Sequence, residues 1–214
     1  MKKAYIFDMD GTLVNTIYDI SDSVNYVIAQ RGFPPHTYEE YLSFMGMGIG
    51  GTLTQAMPGY TDLPPEEQAA LRKAYTVHNE EHCLDKARPY EGITETLKAL
   101  EAGGAVLGIF TNKPEVLGKK IANALFEGIH FTFNLGALEG ATMKPNPERV
   151  LAELDKLGIA AADAVIVGDG QPDIATGKNA GMLTVGVDWG FKGLEELEGA
   201  DIIISHPREL LDIT

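Results

Sequence analysis

Two carboxylates one residue apart, Asp8 and Asp10, close an apolar run, Ala4-Tyr5-Ile6-Phe7, that is too short for a helix and rich in β-favouring side chains. The run reads as a buried strand, and the carboxyl end of such a strand is where open α/β sheets place their ligands. Two acids held there are costly to bury unless a cation or a reaction requires them. Gly11, Thr12 and the polar pair Asn15-Thr16 follow, residues that permit a turn and bond to backbone.

The 214 residues, 44% of them hydrophobic, suffice for one α/β domain with a smaller insertion. The formal charge of −14, from 17 basic and 31 acidic residues, repels phosphate backbones and anionic lipid. Neither nucleic acid nor a membrane is therefore an expected partner, and an anionic small molecule needs local cations or a metal to enter. Cys83 stands alone, which excludes an intrachain disulfide and fits a reducing compartment. No stretch approaches the roughly 18 apolar residues of a membrane span, and Met1-Lys2-Lys3 precedes too few apolar residues for a signal peptide. A cytoplasmic location is expected, as a monomer or a homodimer.

Beyond residue 16 the pattern turns helical. Ile17, Ile20, Val24, Val27 and Ile28 fall at helical spacing and stop at Gly32. Tyr38 to Met45 suggests a short helix, Met45 to Gly51 a flexible glycine-rich loop, and Pro64-Pro65-Glu66-Glu67 the start of a long helix reaching His82. From residue 89 strands and helices alternate. Strands are predicted at Ala105–Phe110, Phe131–Leu135, Ala164–Val167, Leu183–Val187 and Asp201–Ile204. Helices are predicted around Ile93–Leu100, Val116–Leu125 and Ile174–Ala180, with another opened by Asn146 as cap and Pro147 in its first turn. Right-handed βαβ units follow, hence a mostly parallel sheet. The expected architecture is a three-layer, Rossmann-like α/β core from residues 1–15 and 86–214, with an inserted all-helical cap from 16–85.

Four polar clusters follow predicted strands: Asp8 and Asp10; Thr111-Asn112-Lys113; Lys144-Pro145-Asn146-Pro147, after an irregular stretch beyond Leu135; and Gly168-Asp169-Gly170-Gln171-Pro172-Asp173. A parallel sheet puts its strand carboxyl ends on one edge, so the clusters can converge although far apart in sequence. Carboxylates suit Mg²⁺, and Asp8 with Asp169 offers it a shared site. A lysine, a threonine hydroxyl and free backbone N–H groups suit phosphoryl oxygens. A carboxylate attacks phosphorus, and a second acid nearby protonates a leaving oxygen and activates water.

With D-M-D-G-T-L, T-N-K, K-P-N-P and G-D-G-Q-P-D in this order, the chain resembles the haloacid dehalogenase superfamily in its phosphatase branch, within a phosphoglycolate-phosphatase-like subgroup. The downstream A-G-M and V-D-W-G-F are also similar to that subgroup. The resemblance implies a Mg²⁺-dependent phosphatase of a small phosphorylated metabolite, phosphoglycolate or a sugar phosphate, working through an aspartyl-phosphate. It implies Asp8 as nucleophile and metal ligand, and Asp10 as general acid and base with its backbone carbonyl on the metal. Thr111 and the backbone N–H of Asn112 would bind phosphoryl oxygens, and Lys144 would neutralise them and hold Asp8. Asp169 would bind Mg²⁺, with Asp173 as a further ligand or an outer anchor. The helical block resembles the family's cap. Many relatives have serine at Gly170 and aspartate at Asn15; neither is a nucleophile, acid or metal ligand.

Plainer readings stand beside these. Asp8 and Asp10 would cap a turn, Thr111 end a strand, Lys144 sit in solvent and Asp173 complement a helix dipole. Read together in one ordered set, they favour chemistry. His78-Asn79-Glu80-Glu81-His82 fits the H-x-x-E-H zinc pattern, but it lies in an acid-rich helix end with no other protease feature. The glycine loop is either a plain connection or a substrate loop. Residues 15–85 hold ten acids against three bases, a net −7, which gives a carboxylated substrate few cations in the cap. A phosphomutase, which would return the phosphoryl group to its substrate, and a non-catalytic phosphate-binding module are the competing functions.

Overall fold

The computed structural model describes residues 2–213. Its strands in chain order are β1 (Ala4–Phe7), β2 (Val14–Asn15), β3 (Arg88–Pro89), β4 (Val106–Pro114), β5 (Phe131–Ala137), β6 (Ala164–Gly168), β7 (Leu183–Val187) and β8 (Ile202–Ile204). Six of them form one sheet in the order β5-β4-β1-β6-β7-β8, with every neighbouring pair parallel. β1 is thus central and buried on both faces, which explains its unbroken apolar run.

The pleat sends successive β1 side chains into two cores. Tyr5 and Phe7 join Leu97 and Leu100 of α5 (Ile93–Ala102) and Leu117 and Ile121 of α6 (Glu115–Leu125). Ala4 and Ile6 join Val150 and Leu154 of α7 (Glu148–Lys156). α8 (Gln171–Ala180) packs on β6 and β7. The result is the three-layer α/β core expected from the alternation. β4 runs four residues past the predicted Phe110, carrying Thr111, Asn112 and Lys113 on the strand itself. α7 begins one residue later than expected: Pro147 is the capping position, and Asn146 Oδ1 accepts the Glu148 N–H at 2.8 Å.

Between β2 and β3 lie α1 (Ile17–Ala29), α2 (Tyr38–Phe44), α3 (Gly48–Ala56) and α4 (Pro65–His82). α1 packs on the other three, around Val24, Val27, Tyr41, Leu53, Leu71 and Tyr75. The chain enters and leaves this block through the antiparallel pair β2–β3, which the sequence pattern did not reveal. Asp19 reinforces the exit: its carboxylate accepts N–H bonds from Lys86 and Ala87 at 2.8–3.2 Å. Burial pushes the Asp19 pKa up, opposed by those two bonds.

The loop expected over Met45–Gly51 is half helix. Gly46 and Gly48 have φ of +104° and +64°, and α3 starts at Gly48. Burial of Thr52, Leu53 and Ala56 outweighs the poor helix propensity of its glycines. The two cap histidines have separate partners. His78 stacks on Tyr26 and bonds the buried Ser23 hydroxyl at 3.1 Å, whereas His82 pairs with Asp85 at 2.9 Å. Cys83 is buried, as a small apolar side chain would be. Among the described residues no helix is long and apolar enough to cross a membrane.

Candidate active site

Asp8 is fixed by the sheet: its N–H bonds the Val167 carbonyl of neighbouring β6 at 2.9 Å. The chain then turns tightly, with Thr12, Leu13 and Val14 all donating to the Met9 carbonyl. Gly11 at φ +86° makes this turn against Asp169, where a Cβ would lie 2.1 Å from Oδ2. Only glycine meets both demands.

Strand ends β1, β4 and β6 and the Lys144 loop meet in one cavity of about 430 Å³, and all six side chains singled out by the sequence (Asp8, Asp10, Thr111, Lys144, Asp169 and Asp173), with Asn112, line it. Carboxylate oxygens of Asp8, Asp169 and Asp173 lie within 4.8 Å of one another. Lys144 Nζ, almost wholly buried, sits 2.8 Å from Asp8 Oδ1 and 2.6 Å from Asp173 Oδ1. The Asp173 contact is a hydrogen bond; the Asp8 contact is a close ion pair without hydrogen-bond geometry, leaving Asp8 Oδ1 without a donor. Burial alone would lower the Lys144 pKa, but Asp173 and Asp8 outweigh it and push it up.

Three ionised acids and one lysine leave two net negative charges in a largely buried site. Burial, then the charges of Asp8 and Asp173, push the Asp169 pKa well up, partly opposed by the Phe191 N–H at 2.8 Å. Burial likewise pushes Asp173 up to about 7, against the pull of Lys144. A hard divalent cation would keep these carboxylates ionised, and an all-oxygen donor set with one oxygen lacking a donor suits it. Asp10's side chain is not in that group. Its carboxylate is held by Lys113 Nζ at 3.0 and 3.3 Å and by the Thr16 hydroxyl at 2.6 Å. Asp173 has both oxygens engaged, Oδ1 by Lys144 and Oδ2 by the Gly170 N–H, and so also braces the lysine.

Thr111 Oγ1 accepts the Lys113 N–H, which leaves its hydroxyl proton free to donate. The Asn112 side chain clamps the Lys144 backbone in both directions, at 3.0 and 3.4 Å. Sequence reasoning gave no role to Lys113, Thr16 or Phe191. The first two sit inside recognised motifs, but only their convergence on Asp10 shows what they do. Phe191 acts through its backbone N–H, which leaves no residue-type signal. Asn15 accepts the Ile17 N–H through Oδ1, a bond that aspartate would make equally well. Met45 to Ile49 line the cavity, so the glycine segment belongs to its wall.

Residues 5–187 match the model of the haloacid dehalogenase-like hydrolases. The chain is 33% identical to an N-acetylmuramic acid 6-phosphate phosphatase of Pseudomonas aeruginosa, over 99% of this chain and 94% of that one. It is 32% identical to a phosphoglycolate phosphatase of Agrobacterium fabrum, over 93% and 86%. A crystal structure from Lactobacillus delbrueckii subsp. bulgaricus, provisionally described as a phosphoglycolate phosphatase, superposes with a TM-score of 0.87 at 29% identity, over 98% and 97% of the two chains. With its fold, motif order and converging carboxylates on the same footing as these matches, the chain belongs to the haloacid dehalogenase-like hydrolases.

Proposed function

We propose that the chain is a Mg²⁺-dependent phosphatase of small phosphate monoesters, with Asp8 as nucleophile and Asp10 as general acid and base. The observation that carries this reading is Asp8 at the mouth of β1, with Lys144 against one oxygen and a second, independently held carboxylate two residues on, in one cavity. Asp8 attacks phosphorus; the bond to the leaving oxygen breaks as Asp10 gives that oxygen a proton. Asp10 then takes a proton from water, which cleaves the aspartyl-phosphate and frees Asp8.

Asp8, Asp169 and the Asp10 carbonyl would hold Mg²⁺, with Asp173 close by, and the ion when bound would offset charge on the phosphoryl oxygens. Lys144 and the Thr111 hydroxyl provide fixed donors for those oxygens, the kind of preorganised electrostatics that dominates phosphoryl transfer. Lys113 and Thr16 orient Asp10. The helical block acts as a cap whose inner wall, Ile20, Met45, Met47, Ile49 and Tyr75, is uncharged and excludes water from the first step. A cavity of about 430 Å³ lies within the range of sites for medium-sized ligands. It accommodates a phosphorylated sugar acid such as N-acetylmuramic acid 6-phosphate as well as phosphoglycolate, the compounds for which relatives are named.

A phosphate-release screen over phosphorylated metabolites, with and without Mg²⁺, tests the proposal. Mg²⁺-dependent release of stoichiometric phosphate is expected. Turnover without net phosphate release would overturn it in favour of a mutase.

A further inference from the structure

Three lysines line the cavity. Lys113 is paired with Asp10, and Lys144 with Asp8 and Asp173. Lys192 differs: among the described residues it makes no ion pair, and its ammonium donates only to the Ser43 carbonyl of α2, at 3.3 Å. An ammonium has three donors to satisfy, so this one keeps capacity for an acceptor.

Its placement is specific. The preceding residue, Phe191, is tied by its N–H to Asp169, so the backbone of Lys192 starts beside the carboxylate cluster. Its side chain then crosses toward the cap, where a Cβ on Gly46 would lie 3.5 Å from the Lys192 Cε. The ammonium therefore stands between the reacting end of the cavity and the cap wall, where the leaving group of a phosphate ester must sit. The cap contributes no charge to that wall. Glu196 also lines the cavity, and its carboxylate accepts the Gln171 N–H at 3.4 Å. An anionic leaving group would be repelled on that side and attracted on the Lys192 side.

We propose that Lys192 is a specificity-determining residue that binds a carboxylate on the leaving group, so that the preferred substrates are phosphate monoesters of carboxylic acids. The inference rests on the phosphatase reading and names the substrate class of that same site. A carboxylate offers the free ammonium a charge-assisted bond that a neutral sugar hydroxyl matches only weakly.

The test compares ester pairs in which one member lacks the carboxylate: 2-phosphoglycolate against ethyl phosphate, where a methyl replaces it, and N-acetylmuramic acid 6-phosphate against N-acetylglucosamine 6-phosphate, which lacks the whole lactyl group. kcat/KM is measured with Mg²⁺ for the full chain and for Lys192→Met and Lys192→Arg. In the wild type the acid of at least one pair is expected to be preferred. Lys192→Met should cut that preference by about 10- to 100-fold, mainly through KM, as loss of one bond to a charged group does. Lys192→Arg should restore much of it. Equal losses for both members of each pair would mean that Lys192 merely struts the cap through Ser43, and would overturn the inference. So would an unchanged ratio, or a wild type without preference for either acid. Absence of phosphate release from all four esters would overturn this inference alone where the wider metabolite screen gives release, and the phosphatase reading with it where that screen gives none.

Discussion

Lys144 carries the one positive charge among Asp8, Asp169 and Asp173, and its side chain is only 2% exposed. Removing it strands buried acids, which ordinarily costs about 3–5 kcal/mol. Lys144→Met should lose about that much in urea unfolding without metal, and less when Mg²⁺ is present. Asp8→Asn should behave in the opposite way. It relieves repulsion with Asp169 and Asp173, so metal-free stability should hold or rise, while on the proposed mechanism phosphate release should fall at least about a thousandfold for want of a nucleophile. A phosphoryl group trapped on any residue other than Asp8 would refute its assignment. Lys113 reaches the chemistry only through Asp10. Lys113→Met should lower kcat by about 10²-fold, the usual cost of a slightly misplaced reacting group, with little change in KM.

At the scale of elements, the connections between the sheet core and the inserted helical block decide how the site is assembled. Thr16 stands at the cap position of α1, yet its hydroxyl is turned to Asp10, and Asn15 serves the helix end instead. Cap entry and acid placement are thus one piece of structure. Asp19, one turn further on, ties α1 to the returning chain at Lys86 and Ala87. Asp19→Ala leaves both N–H groups without that acceptor and should destabilise the protein by about 1–3 kcal/mol in denaturant unfolding. The helical spacing of α1, the proline and acid start of α4 and the apolar runs of β1, β6 and β7 were legible, because burial of one helix face imposes a period and burial of both strand faces a continuous run. β2 and β3 were not, because two residues of pairing carry no period. Nor was α3, whose glycines argue against a helix that only burial of Leu53 and Ala56 upholds.

For the molecule as a whole, the acid cluster couples folding to pH. A carboxylate whose pKa rises on folding binds more protons in the native state. Asp173, ordinarily at 3.8 and at about 7 when folded, therefore stabilises the metal-free protein fully below about pH 4, and this contribution is lost as pH rises through 7. Asp169 shifts in the same direction. Surface pairs such as Lys178–Asp201, where the lysine holds Asp201 down at about 2, act the other way but only in more acid solution. Thermal melts in a chelator should thus show Tm falling between pH 4 and 7. Mg²⁺, bound at this cluster as proposed, would need the ionised acids and should reverse that slope; at a hundred times its Kd it should raise Tm by about 5–10 °C at neutral pH.

The order of motifs along the chain, and the edge of the sheet on which they gather, followed from sequence. An apolar strand ends where its polar residues begin, and a right-handed parallel sheet brings such ends together. The resemblance already paired Lys144 with Asp8; that Lys113 serves Asp10, and that Lys144 also holds Asp173, was settled only by the fold. Lys113 and Lys144 are equally basic in sequence, but strand register and the clamp of Asn112 carry one to Asp10 and the other to Asp8 and Asp173. The same holds for Lys192, an unremarked residue in sequence, which is held under the helical block by the bond of the Phe191 N–H to Asp169 and by its own ammonium on the Ser43 carbonyl. Contacts made through backbone, or between residues far apart in the chain, leave no local pattern to read.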